Sequence, residues 1–87
     1  MAMLDEQERF IHLVRPAWDL HATGLSAAVD LPKGGKPVVL VLRAKGAFRI
    51  EAAKYATGWF FTWGRRQDQR VRALDINAFR RIWEAVQ

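Results

Sequence analysis

From Leu25 to Trp63 the chain is a series of short runs that are apolar at every second position or throughout, cut by glycine- and proline-bearing turns. Leu25, Ala27, Val29 and Leu31 alternate with Ser26, Ala28 and Asp30, which is the signature of a strand with one buried face. Pro32-Lys33-Gly34-Gly35-Lys36-Pro37 is a strong turn signal. Val38 to Arg43 follows, apolar on both faces as in a central strand. After a turn at Lys45-Gly46, Phe48, Ile50 and Ala52 alternate with Arg49 and Glu51; after Thr57-Gly58 comes the aromatic run Trp59 to Trp63, of high β propensity. Links this short join antiparallel neighbours, because a parallel pair needs a crossover of about a dozen residues or more. Gly64 to Gln69 reads as a polar loop and Arg70 to Ala73 as a short edge strand.

Helical patterns bracket this meander. Leu4 to Val14 carries Leu4, Ile11 and Val14 on one stripe, with Phe10 at its margin, and Asp5, Glu6 and Glu8 in the first turns, where the helix dipole favours negative charge. Pro16 disfavours helical geometry at Arg15, so the spacing predicts a stop there and a short second turn through Trp18 and Leu20, closing at Gly24. Asp75 is placed to cap a final helix with an apolar stripe of Ile76, Phe79, Ile82, Trp83 and Val86. The expectation is a single α+β domain over residues 1–87: N-terminal helix, antiparallel meander of four to five strands, C-terminal helix, both helices on one sheet face.

Composition narrows the chemistry. Among 87 residues there is no cysteine, which removes disulfides, thiol catalysis and the common zinc frameworks, and favours a reducing compartment. The N-terminus has charges where a signal peptide needs an apolar core, and the longest aliphatic run, Val38 to Leu42, is far too short to span a bilayer. A cytoplasmic protein without a membrane partner is expected. Net charge is +5, unevenly placed: residues 1–31 hold two basic and five acidic residues, net −3, and residues 32–87 hold twelve and four, net +8.

No catalytic, cofactor-binding or metal constellation emerges, and no small-molecule substrate is implied. His12 and His21 have no cysteine near them and no helical two-His spacing. Asp19 and His21 could imitate an orienting pair, but nothing ties Ser26 to them. Asp30 with Glu51 and Lys54 evokes a metal-dependent nuclease, yet two residues separate Glu51 from Lys54, which puts them on opposite faces of a strand. Lys33-Gly34-Gly35-Lys36 lacks the phosphate-loop spacing and joins two strands.

With both helices on one face, the other face carries one half of Val38–Leu42 together with Arg49, Phe60, Thr62, Arg70 and Arg72. An apolar centre with a basic rim is contact-surface chemistry, and contact through this face or through an exposed edge strand is expected. The residues expected to form an interface, with a protein partner or in a homodimer, are Val39, Val41, Phe60, Arg49, Arg70 and Arg72; a one-residue change of register exchanges the two valines for Val38, Leu40 and Leu42. Trp59, Phe61 and Trp63 are expected in the core. The alternative is nucleic-acid binding through Arg65, Arg66, Arg70, Arg72, Arg80 and Arg81.

Trp59-Phe60-Phe61-Thr62-Trp63-Gly64, followed by Val71, Asp75 and an amphipathic last helix, resembles a loose group of small uncharacterised actinobacterial and phage α+β proteins with a W-x-x-x-W strand. The resemblance implies a helix, a short sheet and a closing helix, and a high-GC bacterial or phage origin. It implies no activity and carries over no functional residue.

Overall fold

The computed structural model describes residues 5–87. In chain order they form α1 (Asp5–Ala22), β1 (Ser26–Asp30), β2 (Val38–Leu42), β3 (Phe48–Tyr55), β4 (Gly58–Thr62), a 3₁₀ turn at Gln67–Gln69, β5 (Arg70–Arg72) and α2 (Ala78–Val86). The strands make one antiparallel sheet in the order β1-β2-β3-β4-β5, which is the expected meander. Leu4, part of the stripe expected on the first helix, lies outside the described residues.

β3 is the longest strand and is used twice. Its first part pairs with β2 (Val39 opposite Ile50, Val41 opposite Phe48) and its second with β4 (Ala52 opposite Phe61, Lys54 opposite Trp59). Val39, Val41, Ile50, Ala52, Phe61 and Val71 therefore share one face. They form a single core with Leu13, Ala17 and Leu20 of α1 and Ala78, Ile82 and Val86 of α2, so both helices cover that face. Trp59 and Trp63 pack half-buried against this core, as the sequence predicts.

α1 differs from expectation in length and orientation. It runs unbroken through Pro16, which is buried and leaves the His12 carbonyl without its helical donor. Leu13 and Leu20 are fully buried, at about 1.5–3 kcal/mol each; together they offset the ~3 kcal/mol cost of an interior proline. The buried stripe is Leu13, Ala17 and Leu20, while Phe10, Ile11, Val14 and Trp18 stay exposed. The helix ends where Gly24 takes φ 96°, with the Gly24 N–H donating to the His21 carbonyl at 3.0 Å.

α2 begins later than the Asp75 cap predicts. The Asp75 carboxylate instead accepts from the Asn77 N–H at 2.7 Å, and the helix starts at Ala78. Ile76 is thereby left outside the helix and exposed. At the other end, Arg43 donates to the Val86 carbonyl at 3.0 Å and Lys45 to the Gln87 carbonyl. The β2–β3 turn thus brings positive charge to a helix C-terminus that has no basic residue in its own last turn. Across the sheet, the Trp59 indole N–H donates to Glu8 at 2.6 Å and Arg9 donates to the Ala52 carbonyl at 3.1 Å, tying the start of α1 to β3 and β4.

This burial pattern has a direct consequence in urea unfolding. Leu20→Ala is expected to cost about 2–5 kcal/mol, because it opens a cavity in the core. Ile76→Ala is expected to stay within about 0.5 kcal/mol.

Candidate functional site

Side chains alternate across a sheet, so the helix-covered face fixes the composition of the open one. The pairing puts Ser26, Ala28, Asp30, Val38, Leu40, Leu42, Arg49, Glu51, Ala53, Tyr55, Phe60, Thr62, Arg70 and Arg72 on the face that neither helix covers. Of the expected interface residues, Phe60, Arg49, Arg70 and Arg72 are here. Val39 and Val41 are not: both are 0% exposed, held inward by pairing with Ile50 and Phe48. Their places are taken by Val38, Leu40 and Leu42, of which Val38 is buried, Leu40 half-buried and Leu42 exposed.

The open face has two halves. Over β1 and β2 it is small and aliphatic, with Ala28 opposite Leu40 and Ser26 opposite Leu42. Over β3, β4 and β5 it is aromatic and cationic. The Tyr55 and Phe60 rings meet edge to face at 5.2 Å. Arg70 lies 5.2 Å from the Tyr55 ring and 5.8 Å from the Phe60 ring, and Arg72 lies 5.4 Å from Phe60 while donating to the Thr57 carbonyl at 3.3 Å. Each such contact stabilises by about 0.5–1 kcal/mol at an exposed site, and together they hold both guanidinium groups against the sheet. Where β2 stops and β3 continues, a groove of about 630 Å³ opens between the two halves. Pro32, Lys36 and Val38 line one side and Arg49, Glu51 and Lys54 the other, and the groove runs through the end of β2 to Arg9 of α1 on the helix side. Gly58, at φ 124°, makes the reversal from β3 to β4 that brings Tyr55 beside Phe60.

The six arginines of the nucleic-acid alternative do not form one patch. Arg70 and Arg72 are on the open face, whereas Arg81 lies 6.0 Å from the ring of the inward-facing Trp63 and donates to the Asp68 carbonyl at 3.2 Å. Arg66 is bidentate on Asp68, at 3.1 and 2.8 Å. Those hydrogen bonds and the Arg66 charge hold the Asp68 carboxyl below its usual range and raise the Arg66 guanidinium further. The pair's stabilisation is therefore present above the ordinary carboxylate pKa of about 3.9 and is lost as pH falls through the lowered one. Arg80 is 3.9 Å from Glu84, and Arg65 is exposed on the loop.

The other polar candidates are dispersed. His12 lies against Trp59, with ring centres 5.3 Å apart; His21 is exposed and Asp19 pairs with Arg15 at 3.4 Å. Glu51 faces outward opposite Thr62 and Lys54 inward opposite Trp59, as their spacing requires. Among the described residues no group of three or more His, Asp or Glu is placed to hold a metal ion, and no helix is long and apolar enough to cross a membrane. Comparison with family models, with curated proteins and with solved structures gives no match to this chain.

The facing of β2 can be checked by paired substitutions. Val41→Ser removes buried methyl groups and introduces a hydroxyl into the core, and is expected to cost about 2–4 kcal/mol. Leu42→Ser, one position along on the open face, is expected to cost less than about 1 kcal/mol in the same denaturation measurement.

Proposed function

We propose that this chain is a non-enzymatic interaction module that binds a protein partner of acidic character through its open sheet face. The observation that carries the reading is an uncovered aliphatic strip, Ala28, Leu40 and Leu42, in the same sheet face as Arg49 and the cluster of Tyr55, Phe60, Arg70 and Arg72. Aromatic and arginine groups are what protein interfaces enrich as anchors, and the core of an interface is more apolar than its rim. Arg49, Arg70 and Arg72 outnumber Asp30 and Glu51 on this face, so electrostatic complementarity favours a partner with carboxylates at its rim. The arginines and aliphatic groups recognise and position; an arginine that stays protonated is not a general base. A cysteine-free domain of this size relies on packing alone, which suits a reducing compartment such as the cytoplasm.

One observation favours single-stranded nucleic acid as a second reading. Tyr55 and Phe60 with three arginines on an open antiparallel face is the combination that sheet-based single-strand binders use for stacking and phosphate contact. Two facts rank it lower. The rings already carry the Arg70 and Arg72 guanidinium groups, and Arg66 and Arg80 are matched by carboxylates of the same chain.

Selection from a random peptide library on the immobilised protein separates the two. Peptides rich in Asp or Glu beside apolar residues are expected, with binding weakened at least about 10-fold by Leu40→Asp or by Arg49→Glu. Peptides indifferent to both changes would refute the reading. A labelled single-stranded oligonucleotide tests the second reading: three arginine–phosphate contacts give a log–log salt slope of about −2. Oligonucleotide binding with that slope, abolished by Arg49→Glu, would replace the protein partner with nucleic acid.

A further inference from the structure

The two edges of the sheet are built differently. β5 is three residues long and has Arg70 and Arg72 at its ends, the short and charged form by which edge strands resist pairing. β1 is five residues, Ser26-Ala27-Ala28-Val29-Asp30, with no proline and no lysine. Both sides of this edge are hollow. Toward the helices, Val14, Ala17, Trp18 and His21 of α1 and Ala27 and Val29 of β1 line a groove of about 340 Å³. On the opposite side, Ser26, Ala28, Leu40 and Leu42 line one of about 390 Å³. Val14 and Trp18, which line the first groove, are 43% and 69% exposed, and Phe10, four residues before Val14 on the same stripe, is 39% exposed. A backbone edge without blocking residues, overhung by an apolar helix stripe, is a strand-addition site.

We propose that a second copy of this chain occupies it. In this arrangement β1 pairs antiparallel with its counterpart about a two-fold axis at Ala28, and the two five-stranded sheets become one of ten strands, with α1 packed beside α1. Three features select a second copy over an unrelated strand. The sequence of β1 is self-complementary in antiparallel register: Ser26 falls opposite Asp30, hydroxyl to carboxylate, Ala27 opposite Val29, and Ala28 opposite itself. The helix spacing also fits. α1 makes most of its sheet contact with β1, then β2 and β3. The turns of α1 from Val14 to His21 lie beside β1, so there the two helix axes stand about two strand spacings apart, roughly 10 Å, and packed helices lie 8–10 Å apart. The same axis brings Trp18 toward Val14, Trp18 and His21 of the other copy. Finally, Phe10, Val14 and Trp18 expose roughly 300 Å² of apolar surface. With the edge backbone and the half-buried Ala27 and Val29 of β1, this stays below the ~800 Å² per partner of a standard interface and fits a weak, reversible dimer.

The dimer shares only Ala28 with the open-face reading and leaves that face uncovered, and Trp18→Glu, on the helix side of the sheet, tests it apart from that reading. Sedimentation velocity over a concentration series is expected to show a reversible dimer of the 10.0 kDa chain. Trp18→Glu and Ala28→Lys both change exposed side chains, so the monomer fold is retained by circular dichroism. Each is expected to weaken the dimer at least about 30-fold, the effect of losing one interface anchor. Arg49→Glu, on the open face, is expected to leave the dimer intact. Amide hydrogens of Ser26–Asp30 that face away from β2, apart from that of Ala27, which donates to the Leu25 carbonyl at 3.1 Å, should exchange slowly in the dimer and fast in Ala28→Lys. A chain that stays monomeric throughout the series would overturn the proposal. So would a dimer indifferent to both β1 and α1 changes, or one that dissociates on Arg49→Glu alone.

Discussion

The divided pairing of β3 is the constraint on which the rest of the structure depends. Phe48–Ile50 hold β2, and through it β1; Glu51–Tyr55 hold β4, and through it β5. Without this eight-residue strand the sheet separates into two hairpins, and an isolated hairpin in water is marginal at best. β3 also fixes the phase of its neighbours. With Ile50 and Ala52 inward, Val39, Phe61 and Val71 must point inward as well, and Leu40, Phe60 and Arg72 must point outward. The core under the helices and the chemistry of the open face are thus two readings of one register.

The offset of the two pairings has a further effect. β2 stops where β4 takes over, so the outer face is aliphatic on one side and aromatic and cationic on the other, with the groove of Lys36, Arg49 and Glu51 between them. A partner that covers both halves must present apolar and acidic groups about two strands apart. That requirement is more selective than either half alone, since specificity rests on the cost of mismatching one half while matching the other.

The order helix, meander, helix was legible because each reversal carries its own glycine or proline and each strand its own alternation. The inward set Trp59, Phe61 and Trp63 and the outward Phe60 were legible for the same reason. β2 was not. All five residues from Val38 to Leu42 are apolar, so a period of two has no phase to read, and only the partner strand decides that Val39 and Val41 face the core. α1 posed the same difficulty on a helix. It carries two apolar stripes, and the one with bulkier side chains, Phe10, Val14 and Trp18, is the exposed one. Ala17 and Pro16 occupy the buried stripe, where a small side chain lets the helix approach the sheet closely. Size and hydrophobicity favour the wrong stripe; steric fit favours the right one. Pro16 argued for a break because its local penalty is visible in sequence, while the packing of Leu13 and Leu20 that offsets it is not.

Charge then distinguishes the ways two copies could meet. A dimer formed by stacking the open faces would bring two sets of Arg49, Arg70 and Arg72 into one low-dielectric layer, with Asp30 and Glu51 too few to neutralise them. Pairing at β1 does the opposite. It places β4 of one copy seven strand spacings from β4 of the other, roughly 30 Å along the sheet. That exceeds the screening length of about 8–10 Å at physiological salt, so the two cationic clusters barely sense each other. Their open faces join into one surface with Ala28, Leu40 and Leu42 of both copies at its centre and an arginine–aromatic cluster toward each end. A partner with two acidic segments at that separation engages the second cluster at the effective concentration set by the first, and two weak contacts then act as one strong one. Edge pairing and face binding are in this way compatible uses of the two surfaces that the helices leave uncovered.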